Sequence, residues 1–183
     1  MSDYTGSNTP KEVRNSWATP QWLFDALNEE FRFEIDAAAD SSNHKCATFF
    51  DESDNALEID WVIDTGCFSY WLNPPYDNIK PWVTKAIKES ALGATVVMLV
   101  PATPDPAWWP EQVAEVRFIT KGRIHFVDPV TGKVKKGNNK PSCLLIFKPM
   151  LNNQTVTRYV PRPLLEVWGK EAANDESVKS NAA

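Results

Sequence analysis

Glycine, cysteine and histidine are all scarce in this chain of 183 residues, and each shortage weighs against a class of function. The 7 glycines include no G-x-G-x-x-G run and no Walker-type loop, which speaks against a dinucleotide or P-loop site. Cys46, Cys67 and Cys143 are odd in number, far apart and without a C-x-x-C pair. They suit neither a disulfide framework nor a zinc site, and fit the reduced thiols of a cytoplasm. His44 and His125 have no spacing that suggests a metal or a triad, so both read as structural. No apolar run is long enough to span a bilayer, the polar N-terminus has no signal-peptide pattern, and no internal repeat is present.

What is present is hydrophobic material for one ordinary domain, 43% of the residues, and an uneven distribution of charge beneath a net −5. Residues 1–116 carry 7 Lys and Arg against 19 Asp and Glu, whereas residues 117–148 carry 8 against 1. A segment of net +7 inside an acidic chain is a candidate footprint for a phosphate backbone. A solvated lysine-rich hairpin would have the same composition.

Residues 1–15 are polar and predict a disordered arm. Thr19-Pro20 predicts a helix over 20–30, with Thr19 as N-cap and Pro20 in the first helical position. Leu23, Phe24, Leu27 and Phe31 supply its buried stripe. Helix initiation explains Thr19-Pro20 on local grounds, so a ligand role for Trp17 or Thr19 needs outside support. Residues 31–36 alternate as a short strand ending in Asp36, with Ala37, Ala38 and Ala39 behind it. A carboxylate there can accept from an ammonium or hydroxyl; an ordinary strand-exit turn is the commoner use. Residues 40–67 are polar and turn-rich and close with Asp60-Trp61. That pair could accept from an exocyclic amine and stack on the same purine, or the ring could simply pack under a loop.

The second half alternates more clearly. Residues 68–72 predict a strand, 79–91 a helix with Pro81 in its first turn, and 94–100 a fully buried central strand. A short helical stretch over 108–115, strands at 116–120 and 123–127, and a loop over 128–141 follow. Residues 143–147 return as a strand, making an antiparallel hairpin at the sheet edge. From Pro149 the chain is polar and proline-punctuated, and 171–183 predict a disordered tail. The result is one α/β domain over 16–150 with a mostly parallel sheet, shortened where 40–67 leave little room for second and third strands. Residues 151–183 form a C-terminal extension.

The stretch Asn73-Pro74-Pro75-Tyr76 stops the 68–72 strand, because two prolines end regular pairing and stiffen the exit. Ligands bind at that end of strands in open α/β sheets. An amide oxygen and the Pro74 carbonyl can both accept from one NH2 group, since neither proline carries a competing N–H. Tyr76 can stack on an attached planar ring. A rigid surface turn would use the same residue types.

This tetrad, with the residues around it, resembles the bacteriophage DNA N6-adenine methyltransferase family. The likeness runs over Trp17-Ala18-Thr19-Pro20, Ile35-Asp36-Ala37-Ala38-Ala39, Asn55-Ala56-Leu57 with Asp60-Trp61, and residues 97–101. It continues through Lys121-Gly122-Arg123-Ile124 and Lys140-Pro141-Ser142, in order, across about 16–148. The resemblance implies a Rossmann-like methyltransferase domain that uses S-adenosylmethionine on double-stranded DNA in a host-cell cytoplasm. It implies that Trp17, Thr19 and Pro20 line the methionine end of the cofactor. Asp36, with Ala37 and Ala38, would face its ammonium; Asp60, Trp61 and Asn55 would serve its adenine and ribose. Asn73, Pro74, Pro75 and Tyr76 would be catalytic, acting on a flipped adenine. No separate target-recognition domain is present, so Lys121, Arg123, Lys133, Lys135, Lys136 and Lys140 become the candidate DNA contacts. The same tetrad also serves enzymes that methylate RNA bases or protein glutamine, and a non-catalytic DNA-binding module could keep the fold.

Overall fold

The structure is a computed structural model that describes residues 17–135, 140–149 and 154–181. The predicted arm 1–15 and Lys136 lie outside the described residues.

Seven strands form one sheet in the order β2-β1-β3-β4-β6-β5-β7. They are β1 (Ile35–Asp36), β2 (Thr48–Phe49), β3 (Ser69–Leu72), β4 (Thr95–Pro101), β5 (Glu115–Thr120), β6 (Ser142–Phe147) and β7 (Val156–Pro161). The neighbours β2/β1, β1/β3, β3/β4 and β5/β7 are parallel, while β6 runs antiparallel to both β4 and β5. β1 and β2 have two residues each, the shortening that the polar segment 40–67 predicts.

The strand pattern explains why the sheet sits in the middle. Along β3, β4 and β6 alternate side chains are buried on opposite faces, as the two-residue period of a covered strand requires. Tyr70, Leu72, Val96, Met98, Leu145 and Phe147 belong to one core; Trp71, Val97, Leu99, Leu144 and Ile146 belong to the other. The first core is covered by the short α2 (Trp61–Thr65) and by α3 (Lys80–Ala91). The second is covered by α1 (Gln21–Phe31) through Leu23, Phe24 and Leu27, and by α4 (Arg162–Asn181) through Leu165.

Three differences from the sequence-based expectation have physical causes. Helix α1 begins at Gln21, so Pro20 occupies the cap position and the Thr19 side chain caps nothing. Residues 108–114 form a turn and bends rather than a helix, and Pro110 among them has no N–H to donate to a helical ladder. Arg123 to Val127 contributes only isolated bridges, Ala18 with Val127 and Val127 with Val134.

The C-terminal segment departs furthest from expectation. Instead of an extension fading into a tail, β7 adds a strand outside the β5–β6 hairpin, and α4 continues to Asn181. Leu165 and Ala172 are buried, and Gly169 lets α4 press on α1: a Cβ there would meet the Trp22 carbonyl oxygen at 2.0 Å. The polar content of the segment belongs to the outer face of an amphipathic helix. Among the described residues, no helix is long and apolar enough to cross a membrane.

Candidate active site

The parallel arrangement brings two chemical groups to one rim. Asp36 ends β1 opposite Trp71 of β3, and Asn73 follows two residues beyond Trp71. Residues 17–19 form a strap above them, tied by reciprocal backbone hydrogen bonds between Ala18 and Val127, both 2.9 Å. The resulting cleft is lined by Trp17, Thr19, Asp36, Ala38, Lys45 and Asn73, with Asn43 at its side. Its volume is about 20 Å³, room for about one water, so a larger ligand must lie across its mouth or widen it. A larger cavity of about 360 Å³, between Ile87, Ala91, Val113 and Phe147, sits at the opposite end of the strands and contains none of the predicted site residues.

Polar satisfaction in the cleft is incomplete. The Asp36 side chain is 3% exposed and accepts backbone N–H groups from Lys45 at 3.0 Å and Ala38 at 3.4 Å. Burial outweighs these bonds and pushes its carboxyl up to about 6. The Thr19 hydroxyl and the Trp17 indole N–H are buried and have no hydrogen-bond partner among the described residues. Buried donors of this kind are normally satisfied, so a cleft holding two of them is built for polar groups from outside. A zwitterionic amino-acid end, with an ammonium for Asp36 and a carboxylate for the donors, fits this set.

The tetrad closes the other side. Pro74 is buried, and Asn73 and Pro75 are half-buried. Tyr76 donates its hydroxyl to Asn73 Oδ1 at 3.3 Å, a long bond that a better donor can displace. Its ring meets Phe126 edge-on at 6.2 Å while the residue stays 37% exposed. The enclosed hydroxyl has its pKa raised by burial, so it remains a neutral donor.

Other predicted residues stand apart from this cleft. Ala37 is fully buried, with its N–H bonded to the Trp71 carbonyl. Trp61 is also fully buried and donates its indole N–H to the Ala56 carbonyl at 2.7 Å. Asn55 is exposed in a left-handed turn at φ 51°. Asp60 precedes α2 and is held by Lys88 and by Lys85 at 3.7 Å, with the Lys88 bond as the main cause of its lowered pKa.

The basic residues gather on the rim that carries Asn73. β5 runs in the same direction as β4, so Lys121 and Arg123 leave it at the carboxyl end of the sheet, both exposed. Lys140 precedes β6, whose Ser142 pairs with Pro101 at that same end. Lys133 and Lys135 flank Val134 of the Val127–Val134 bridge, and Lys135 pairs with Asp128 at 3.0 Å. Sequence reasoning missed Arg162, which opens α4 at this rim and donates to the Arg123 carbonyl at 3.2 Å. It also missed Lys45 and Asn43; nothing in a polar loop marks which residues fold back onto the next strand.

The chain is similar to known proteins along most of its length. Residues 6–172 match the family model described as DNA N-6-adenine-methyltransferase (Dam). A DNA N-6-adenine-methyltransferase of Haemophilus phage HP1 (strain HP1c1) is 37% identical over 151 residues, covering 79% of this chain and 85% of that protein. A protein of the same name from Escherichia phage T1 is 32% identical over 177 residues, covering 86% and 73%.

Proposed function

The chain belongs to the DNA N-6-adenine-methyltransferase family, and from that membership we propose how its cleft performs methyl transfer to adenine N6 in DNA. The methyl donor is S-adenosylmethionine, which supplies an electrophilic methyl group when bound. The observation that carries this reading is the convergence of Asp36, Asn73 and two unpartnered buried donors, Trp17 Nε1 and Thr19 Oγ1, in one cleft.

Asp36 takes the donor's ammonium, and Trp17, Thr19 and Pro20 line its amino-acid end. Ala38 lines the cleft and carries no side chain beyond Cβ, so a ligand can approach the backbone at the exit of β1, while the buried Ala37 packs beneath it. Asp60 and Asn55 serve the adenine and ribose, with Trp61 packed beneath them.

The target adenine must leave the duplex stack to reach this rim, because its amine is paired inside the helix. Asn73 Oδ1 and the Pro74 carbonyl accept the two amine hydrogens, which directs the nitrogen lone pair outward. Pro75 keeps the turn rigid, and Tyr76 stacks on the base after yielding its weak bond to Asn73. Positioning and electrostatics supply the rate, and no covalent nucleophile on the protein is required. Lys121, Arg123, Lys133, Lys135, Lys136 and Lys140 hold the DNA backbone, which positions the duplex without specifying sequence.

Replacing Asn73 with alanine should lower kcat by about 10²- to 10³-fold while donor affinity stays unchanged. Labelled S-adenosylmethionine, offered with duplex DNA, RNA and protein, measures rate and substrate class together. Near wild-type methylation by Asn73→Ala would reject the assignment. Converting Lys121 and Arg123 to alanine should reduce the salt slope of DNA binding by about 2, and an unchanged slope removes them from the interface.

A further inference from the structure

Among the described residues, Lys45 is the one cationic side chain lining the cleft, and no role follows for it from the tetrad chemistry. Its position is tied down twice. The backbone N–H bonds Asp36 Oδ2 at 3.0 Å, which places the residue beside the carboxylate rather than on a free loop. The ammonium reaches back to Gln21 Oε1 at 3.0 Å, on the first turn of α1, next to the strap that carries Thr19. Thr19 is 3% exposed with an unpartnered hydroxyl, and the Trp17 indole N–H beside it is also unpartnered. The cleft therefore offers a carboxylate on one side, and a cation with two donors that lack acceptors on the other.

We infer that Lys45, with the Thr19 hydroxyl, binds the carboxylate of the methyl donor's amino-acid end, opposite the ammonium site at Asp36. This rests on the reading of the cleft as the donor site. A single carboxylate beside an ammonium ligand would need only Asp36. The pairing of Asp36 with Lys45 is what a zwitterion requires, because each ligand charge then meets its opposite within one small volume. Desolvation lowers the pKa of the lysine while the Asp36 charge opposes that shift, so an incoming carboxylate further favours the charged lysine. Gln21 holds the ammonium in reserve through a neutral acceptor, which a carboxylate displaces, since charge-assisted hydrogen bonds are about twice as strong as neutral ones.

The test is binding, measured by calorimetry on the full chain with two probes. One is S-adenosylhomocysteine; the other is its decarboxylated analogue, which keeps the ammonium. Lys45→Met should weaken S-adenosylhomocysteine by about 10- to 100-fold and leave the analogue unchanged. Lys45→Arg should restore most of the affinity, and Asp36→Asn should weaken both probes. Equal losses for both probes with Lys45→Met would make the residue merely structural and overturn the inference. Unchanged S-adenosylhomocysteine binding with a shallower salt dependence for DNA would assign Lys45 to phosphate instead. If wild type binds neither probe, the donor site itself is misplaced; if wild type binds and Asp36→Asn does not, only the lysine assignment is at stake.

Discussion

Asp36 and Glu89 are both buried carboxylates, 3% and 0% exposed, and they live in opposite surroundings. Glu89, on α3, pairs with Lys85 at 2.7 Å and accepts the Val62 N–H at 3.0 Å. Lys85 also donates to the Ile59 carbonyl, so α3 is fastened to the start of α2 through an ion pair and two backbone hydrogen bonds. Asp36 has two backbone N–H donors and no ion pair among the described residues, and its neighbours Thr19 and Trp17 lack partners. One carboxylate is spent on holding the fold. The other is kept short of partners, which costs stability and leaves binding capacity for a ligand.

That contrast can be broken from the Glu89 side first. Glu89→Ala leaves the Lys85 ammonium buried, its side chain 4% exposed, with only the longer pair to Asp60 at 3.7 Å, and should destabilise by at least about 3 kcal/mol in urea unfolding. A loss below about 1 kcal/mol would mean that the pair is not structural.

Asp36→Asn should have the opposite sign. Because the Asp36 carboxyl is pushed up to about 6, the folded protein holds this proton more tightly than the unfolded chain does. The stability penalty of its charge is therefore fully present above pH 6 and disappears as pH falls to about 4. At pH 8 the asparagine variant should be more stable than wild type by at most about 3 kcal/mol, with that advantage lost in acid. Unfolding measured at both values checks this through the pH dependence of the difference, because the acceptor that the amide loses for one of the Lys45 and Ala38 N–H groups acts at either pH; a difference that does not change with pH would show that the charge is already compensated.

The smallest effect is expected from converting the used pair together. Lys85→Met with Glu89→Leu removes both charges and keeps the volume, so stability should stay within about 1 kcal/mol of wild type. A large loss would mean that the bonds to Val62 and Ile59 matter more than the ion pair.

Local residues made much of the Asn73 side of the cleft readable. The run 68–72 predicts a strand by its apolar aromatic content, and Pro74 with Pro75 makes its exit rigid without reference to anything distant. The central strand is legible for a similar reason, since a continuous apolar run between Gly93 and Pro101 has few other homes. α4 was not readable: Leu165 and Ala172, two turns apart, are its buried residues, but the charged residues around them look like a tail. What makes them structure is α1, whose Trp22 backbone accepts the close approach at Gly169.

The sequence by itself determined the strand that leads to Asn73, the rigid Asn-Pro-Pro-Tyr exit, and Asp36 as a carboxylate at a strand end, because each depends on residues next to one another. Only the tertiary structure decided which groups share a cleft. Thr19 reads locally as a helix cap; starting α1 one residue later turns its hydroxyl into an unpartnered donor beside Asp36. Lys45 reads as one charge in a polar loop, and parallel pairing of β1 with β2 and β3 folds it back across the carboxylate. Strand order is set by packing between distant segments, and that physical coupling has no local signature in the chain.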